Sequence, residues 1–316
     1  MSTNVEIIND IVDNVGKVII GKRKEIINIM KGMIVGGHIL IEDVPGVGKT
    51  TLIKALKESL NLTYSRIQFT PDLLPSDITG ISVYNAKTCE FQFNKGPIFS
   101  NVVLADEINR TSPKTQSALL EVMEEMQVSE GGTTYSLERP FFIMATENPI
   151  EYEGTFSLPE AQLDRFIVKV CLGYPDKDEE VAILNLYKNQ NPLEILEPVA
   201  SKEDILNLQE SVKKVRVNND INKYIVNLID ATRNHSDISL GGSTRASLAL
   251  LKISQATALI DGRDYVVPED VKENIKITLS HRLIMKNSAI ARGIDADYVL
   301  DEILKMVPTP KVRMDD

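Results

Sequence analysis

The stretch IEDVPGVGKTT, residues 41–51, decides the fold. It misses the phosphate-loop pattern G-x-x-x-x-G-K-[ST] by one letter. Counting back from Gly48, Lys49 and Thr50, the first glycine falls at position 43, where the chain carries Asp43. Such a loop turns backbone N–H groups toward a β-phosphate at a helix N-terminus, and its lysine adds a point charge. Gly46 and Gly48 stand where the backbone must approach phosphate, and Pro45 stiffens the turn between them and Asp43. The first position lies at the loop's edge, where a turn-tolerant aspartate can substitute. On this reading Pro45, Gly46, Val47, Gly48, Lys49, Thr50 and Thr51 form the cradle. Lys49 would reach the β- and γ-phosphates of a nucleotide, and Thr50 would ligate Mg²⁺. The rival reading is a glycine-rich turn with no ligand, and the flanks decide between the two.

Those flanks have the required context of strand, loop and helix. HILIE (38–42) is a short apolar run, and TLIKALKESL (51–60) has apolar residues at helical spacing. Further strands are expected in YSRIQF (64–69), NVVLAD (101–106), PFFIMAT (140–146) and RFIVKVCL (165–172). They are nearly all apolar, as strands buried on both faces of a parallel sheet should be. Helical patterns fall between them, notably SPKTQSALLEVMEEM (112–126), and also at 5–15 and 22–35. The alternation predicts a doubly wound α/β domain. Residues 80–96 and 126–138 read as inserted hairpins, the second turning at Gly131-Gly132. From about residue 180 the patterns are helical, which predicts two domains, at 1–175 and 176–316, with a frayed tail.

Bulk composition narrows the function. The 316 residues suffice for about two domains, and 43% hydrophobic with 25% charged residues is ordinary for a globular protein. No apolar run is long enough to span a membrane, and the first residues lack a secretion signal, so a cytoplasmic protein is expected. The net charge of −10 argues against an ordinary phosphate-backbone binder, while leaving room for a local basic pore. Cys89 and Cys171 are far apart, with Cys171 in an expected buried strand, and both read as inert reduced thiols. His38, His235 and His281 are scattered too, so neither a protein-built metal cage nor a Cys–His or Ser–His pair is expected.

Chemistry concentrates where strands end. VVLADE (102–107) is an apolar strand closing in two acids, next to where a phosphate loop would lie. Asp106 can hold the water shell of Mg²⁺, and Glu107 can polarise an attacking water. Alone, two acids could equally end a strand and cap a helix. IMATENP (143–149) places Asn148 to bond a γ-phosphate or that water, though an asparagine before Pro149 is also an ordinary turn. Arg165 in LPEAQLDRF (158–166) matters only if a neighbouring subunit's nucleotide is near.

Taken together, GHILIEDVPGVGKTTL, VVLADEINRTSPKTQSALLEVMEE, MATENPIEYEGTFSLPEAQLDRF and GGSTRASLALLK resemble the MoxR family of AAA+ ATPases, over residues from about 15 to 305. The EDVPG form of the loop is itself familiar in that family. The resemblance implies an AAA+ αβα sandwich, a P-loop NTPase with a parallel sheet and a C-terminal all-α lid. It implies the Walker A pair at Lys49 and Thr50, Walker B at Asp106 and Glu107, and sensor 1 at Asn148. It further implies an arginine finger at Arg165 and sensor 2 at Arg245, acting on its own site or the next one. Val18, Ile19, Ile20 and Gly21 would line the adenine, and Arg110 would face a subunit interface. The hairpins resemble the helix-2 insert and presensor hairpin of the clade that includes magnesium chelatase. The implied activity is Mg²⁺-dependent ATP hydrolysis in a homo-oligomeric ring, as a hexamer, remodelling client proteins with a von Willebrand factor A domain partner. A nucleic-acid motor and a non-hydrolysing nucleotide-gated scaffold are the alternatives.

Overall fold

The computed structural model describes residues 2–148, 156, 158–188 and 191–311. The quoted EYEG segment and the last residues of the expected frayed tail therefore lie outside the described residues. The chain opens with helices α1 (Ser2–Gly16) and α2 (Arg23–Ile34), enters strand β1 (His38–Glu42), and passes through the glycine loop into α3 (Lys49–Leu60). Then come β2 (Tyr64–Gln68), the short α4 (Pro75–Thr79), the hairpin β3 (Gly80–Asn85) and β4 (Glu90–Lys95), and β5 (Val102–Asp106). Helix α5 (Pro113–Glu125) leads to a second hairpin, β6 (Gln127–Glu130) and β7 (Thr133–Ser136). β8 (Phe142–Glu147), α6 (Glu160–Leu163) and β9 (Phe166–Val170) complete the sheet.

The sheet is parallel, in the order β2-β5-β8-β1-β9. Side chains alternate between its faces at period two. Ile39, Ile41, Val102, Leu104, Phe142 and Met144 join the core under α1–α3, while Leu40, Val103, Ala105, Ile143 and Ala145 join the core under α5. This double burial is why β1, β5 and β8 read as unbroken apolar runs. β2 is one edge of the sheet, with only Ile67 buried, and its other positions are free to carry Arg66 and Gln68.

The two hairpins lie together. Phe93 stacks on Tyr135 at 4.4 Å between ring centroids, and the Ser82 N–H donates to the Glu130 carboxylate at 3.3 Å. Cys171 differs from expectation: the strand stops at Val170, the next side chain turns outward, and the thiol is exposed.

Beyond β9 the chain forms α7 (Lys177–Tyr187), α8 (Lys202–Val212), α9 (Asn219–Asn234), β10 (Ile238–Leu240), α10 (Thr244–Ile260) and α11 (Pro268–Leu279). It ends with β11 (Ile284–Met285), α12 (Asn287–Ile290) and α13 (Ala296–Met306). A two-stranded antiparallel pair, β10 with β11, ties these helices together. The C-terminal helices share the core of α1 and α2: Leu208, Leu250 and Ile253 belong to the cluster containing Ile29 and Met33. Two polar anchors fix that docking. Buried Lys31 on α2 donates to Glu273 at 2.8 Å and Asn274 at 3.0 Å on α11. Buried Arg282 donates to the Asp164 carboxylate at 2.8 Å and the Phe166 carbonyl at 2.7 Å, pinning this region to the start of β9.

Candidate functional site

Loop 43–48 leaves the C-terminal end of β1, the crevice where parallel α/β sheets bind ligands. Gly46 and Gly48 have φ of +87° and +93°, a region that side-chain-bearing residues avoid. A Cβ built on either would meet nothing within 4 Å, so the space before the loop is open. Lys49 starts α3, and its ammonium donates to the Asp43 carbonyl at 2.6 Å. Among the described residues it forms no ion pair. Burial pushes its pKa down, while the charges of Asp43, Asp106 and Glu107 hold it up. A half-buried cation over an open cradle of backbone N–H groups at a helix start is suited to a polyphosphate.

Asp43, the letter that broke the pattern, is buried and fully engaged. Its Oδ1 accepts from Val44 N–H at 2.9 Å, and its Oδ2 accepts from Leu172 N–H at 2.6 Å and Gly173 N–H at 2.7 Å.

β5 delivers the two acids beside the loop. Asp106 is buried, accepting from Thr146 Oγ1 at 2.6 Å and from Arg66 at 2.6 and 3.0 Å. Glu107 has φ +57°, unusual for a residue with a side chain and a conformation that concentrates at functional sites. Its N–H donates to Thr146 Oγ1 at 2.8 Å. One hydroxyl on β8 therefore fixes both acids. The Glu107 carboxylate accepts from Gln68 at 2.8 Å and lies 3.3 Å from Arg110, on the turn that follows. Asn148 is buried just past β8, its carbonyl accepting from Asn109 at 3.4 Å. Thr50 and Thr51 stand on the first turn of α3. Among the described residues no three His, Cys, Asp or Glu side chains form a metal cage. Mg²⁺ needs no such cage, since it binds through one or two protein oxygens plus substrate phosphates. Thr50 and Asp106 fit that limited role.

Val18, Ile19, Ile20 and Gly21 form the turn between α1 and α2. The Glu179 carboxylate of α7 packs on Gly21, where an added Cβ would overlap it, and Lys22 donates to the Tyr174 carbonyl at 3.1 Å. The segment after β9 thus closes over this turn.

Arg165 and Arg245 lie elsewhere. Arg165 precedes β9, at the N-terminal edge of the sheet, and donates to the Leu120 carbonyl at 2.6 Å. It pairs with Glu124 at 2.6 Å, and Arg245, on the first turn of α10, pairs with the same carboxylate at 2.8 Å. Both line a groove of about 740 Å³ together with His38, the first residue of β1. The phosphate loop leaves the other end of that strand, five residues away, or about 15 Å at the rise of a β-strand. The groove also carries Arg139, Lys213 and Lys252 against the acids Glu124, Asp164 and Glu210.

The sequence alone did not reveal Arg66, Gln68, Thr146, Glu124 or the bonds of Asp43. Thr146 had a signal, a polar residue ending an apolar strand. Gln68 had none, because only the pairing of β2 with β5 sets it opposite Asp106.

The AAA family model, "ATPase family associated with various cellular activities", matches residues 38–168, and an AAA lid domain matches 230–303. The chain is 40% identical to the chaperone MoxR1 of Mycobacterium tuberculosis, over 99% of this chain and 85% of that protein. It is 51% identical to the uncharacterised protein YeaC of Bacillus subtilis, over 96% of this chain and 94% of that one. A solved structure from Cytophaga hutchinsonii, described as a candidate ATPase, superposes with a TM-score of 0.91 at 42% identity, covering 98% of this chain and 97% of that one.

Proposed function

The chain belongs to the MoxR family of AAA+ ATPases, and from that premise we propose that it hydrolyses Mg²⁺-ATP at sites shared between neighbouring subunits of a homo-oligomeric ring. The observation that carries this reading is the separation of the chemical groups. Lys49, Asp106, Glu107 and Asn148 gather at the C-terminal ends of the strands, whereas Arg165 and Arg245 share Glu124 at the opposite edge. Neither arginine is placed for its own chain's phosphate loop. A head-to-tail contact would bring both to the loop of the next subunit, and such contacts close into rings. This favours Arg245 acting in trans, the alternative that the sequence left open. A hexamer is the ring size we propose from the family.

Within each site the chain's own groups divide the work. The loop N–H groups and Lys49 bind and orient the phosphates. Thr50 and Asp106 would hold a hydrated Mg²⁺, which when bound would supply charge neutralisation at the phosphates. Arg66 and Thr146 keep Asp106 aimed at that position. Glu107, fixed through its N–H by Thr146, orients and polarises the attacking water, and Asn148 holds that water from the other side. Gln68 and Arg110 engage the Glu107 carboxylate in the isolated subunit and must yield it before it can act. Arg165 and Arg245 of the neighbour stabilise charge on the γ-phosphoryl oxygens. An arginine finger in trans contributes about 10³–10⁵ in rate, roughly 4–7 kcal/mol of barrier, so a lone subunit should be nearly idle.

We further propose that the ring remodels client proteins with a von Willebrand factor A domain partner, supported by the family and by the relative named as a chaperone. Phosphate release measured against protein concentration, for wild type and Glu107→Gln, tests the ATPase reading. Specific activity should rise with concentration, and the variant should bind ATP without turning it over. Binding without release at every concentration, by assembled wild-type rings, would instead support a nucleotide-gated scaffold.

A further inference from the structure

Asp43 stands where the phosphate-loop pattern calls for glycine, so its side chain is not needed for the turn. Yet that carboxylate accepts three backbone N–H groups, two of them 129 and 130 residues away in the segment that leaves β9. Bonds from N–H groups to a buried carboxylate are among the stronger hydrogen bonds. The backbone of the same residue is engaged as well. Its carbonyl is the resting acceptor for the Lys49 ammonium, and its N–H donates to the Glu147 carbonyl at the end of β8 at 3.1 Å. One residue thus joins the loop's lysine, the sheet and the connector that runs through Gly173, Tyr174 and Pro175 into α7.

The connector is held at two further points. Lys22 bonds the Tyr174 carbonyl and lies 3.8 Å from Glu179, and the Glu179 carboxylate rests on Gly21. No residue of α7 is buried, so the position of this helix depends on these contacts at its start rather than on a packed face. Anything that moves Asp43 therefore acts on an element with little else to restrain it.

We propose that Asp43 is a positioning residue that couples occupancy of the phosphate loop to the connector and α7. To reach a β-phosphate, Lys49 must leave the Asp43 carbonyl. The loop then closes on the phosphate with Asp43 at its root, and the carboxylate carries the tightening to Leu172 and Gly173. The coupling is reciprocal, so an ordered connector also favours nucleotide binding. This inference rests on the phosphate-binding reading of the loop and extends it to how the bound state leaves the site.

The test is amide hydrogen exchange of Leu172, Gly173 and the first turn of α7, with and without Mg²⁺-ADP, alongside ADP affinity. It compares wild type, Asp43→Gly, which restores the strict loop pattern, and Asp43→Asn, which keeps one acceptor oxygen should the glycine variant not fold. In the wild type ADP should slow exchange at these amides by about 5- to 150-fold, the usual range of such couplings. In the variants that ratio should collapse toward one, and ADP affinity should fall by a matching factor. A merely structural Asp43 would raise exchange equally in both states and leave the ratio intact, which would overturn the proposal. A wild type that binds no ADP would overturn the reading of the site and the coupling together. A wild type that binds ADP while the variants keep its full exchange response would overturn the coupling alone.

Discussion

Thr146 is one hydroxyl between two acids, donating to Asp106 and accepting from the Glu107 N–H. Thr146→Val keeps the shape but leaves that part-buried N–H without its partner, a penalty of about 1 kcal/mol. Turnover should fall about ten- to a hundredfold while ATP affinity changes far less, the split expected when an interaction serves the transition state. Steady-state kinetics beside equilibrium binding of ATP would check it. His38 makes a different kind of prediction. Burial drives its pKa from 6.5 down to about 4, while a bond to the Met123 carbonyl pulls the other way. The folded protein thus keeps this ring neutral between those values while the unfolded chain protonates it. Its contribution is fully present above pH 6.5 and is lost as pH falls toward 4, up to about 3 kcal/mol at 1.36 kcal/mol per unit. Buried His281 is shifted in the same direction. Urea titrations from pH 7 to 4 should show stability falling, with a shallower slope in His38→Gln. At this scale the sequence was readable for placement: Lys49, Thr50, Asp106, Glu107 and Asn148 lie at one end of the sheet, while their proposed roles await the kinetic tests. It was unreadable for Gln68 and Glu124, which matter through neighbours on other elements.

Elements are where local pattern and tertiary pairing separate. The apolar runs at β1, β5 and β8 were legible because burial on both faces leaves no polar position, and β9 was legible up to Val170. The strand's end was not, since it is set by the Asp43 carboxylate capturing the amides of Leu172 and Gly173 rather than by a local breaker. Cys171 itself continues the alternation of β9, in which Ile167 and Lys169 are only partly buried, onto the less buried face, and is exposed rather than buried. The docking of α11 on α2 was equally silent in the sequence, because it depends on the buried Lys31 ammonium meeting Glu273 and Asn274. Removing the carboxylate should hurt more than removing the lysine. Glu273→Ala leaves a buried charge, costing roughly 2–3 kcal/mol, while Lys31→Met leaves a half-exposed acid that water can solvate, costing under about 1 kcal/mol. Denaturation midpoints of the two variants would rank them, and the reverse order would show that the pair does not carry the docking. For the loop, Gly48→Ala should cost about 1–2 kcal/mol from its φ of +93°.

For the whole molecule, the question is why the residues proposed to share one reaction lie at two edges of one sheet. The parallel order β2-β5-β8-β1-β9 sends every strand's C-terminal end, with the loop and the acids, to one side. The lid docks through Arg282 at the start of β9, which sets Arg245 beside Arg165 on the other side. On the proposed reading each edge carries half of a site, and a head-to-tail neighbour would supply the missing half. The most direct test is to mix subunits carrying Lys49→Ala with subunits carrying Arg165→Ala and measure phosphate release. Each variant alone should be almost inactive. The mixture should recover activity, because an Arg165→Ala subunit keeps its phosphate loop and a Lys49→Ala neighbour still offers its arginines. Mixed assemblies that form and yet recover nothing at any ratio would contradict a site shared between subunits.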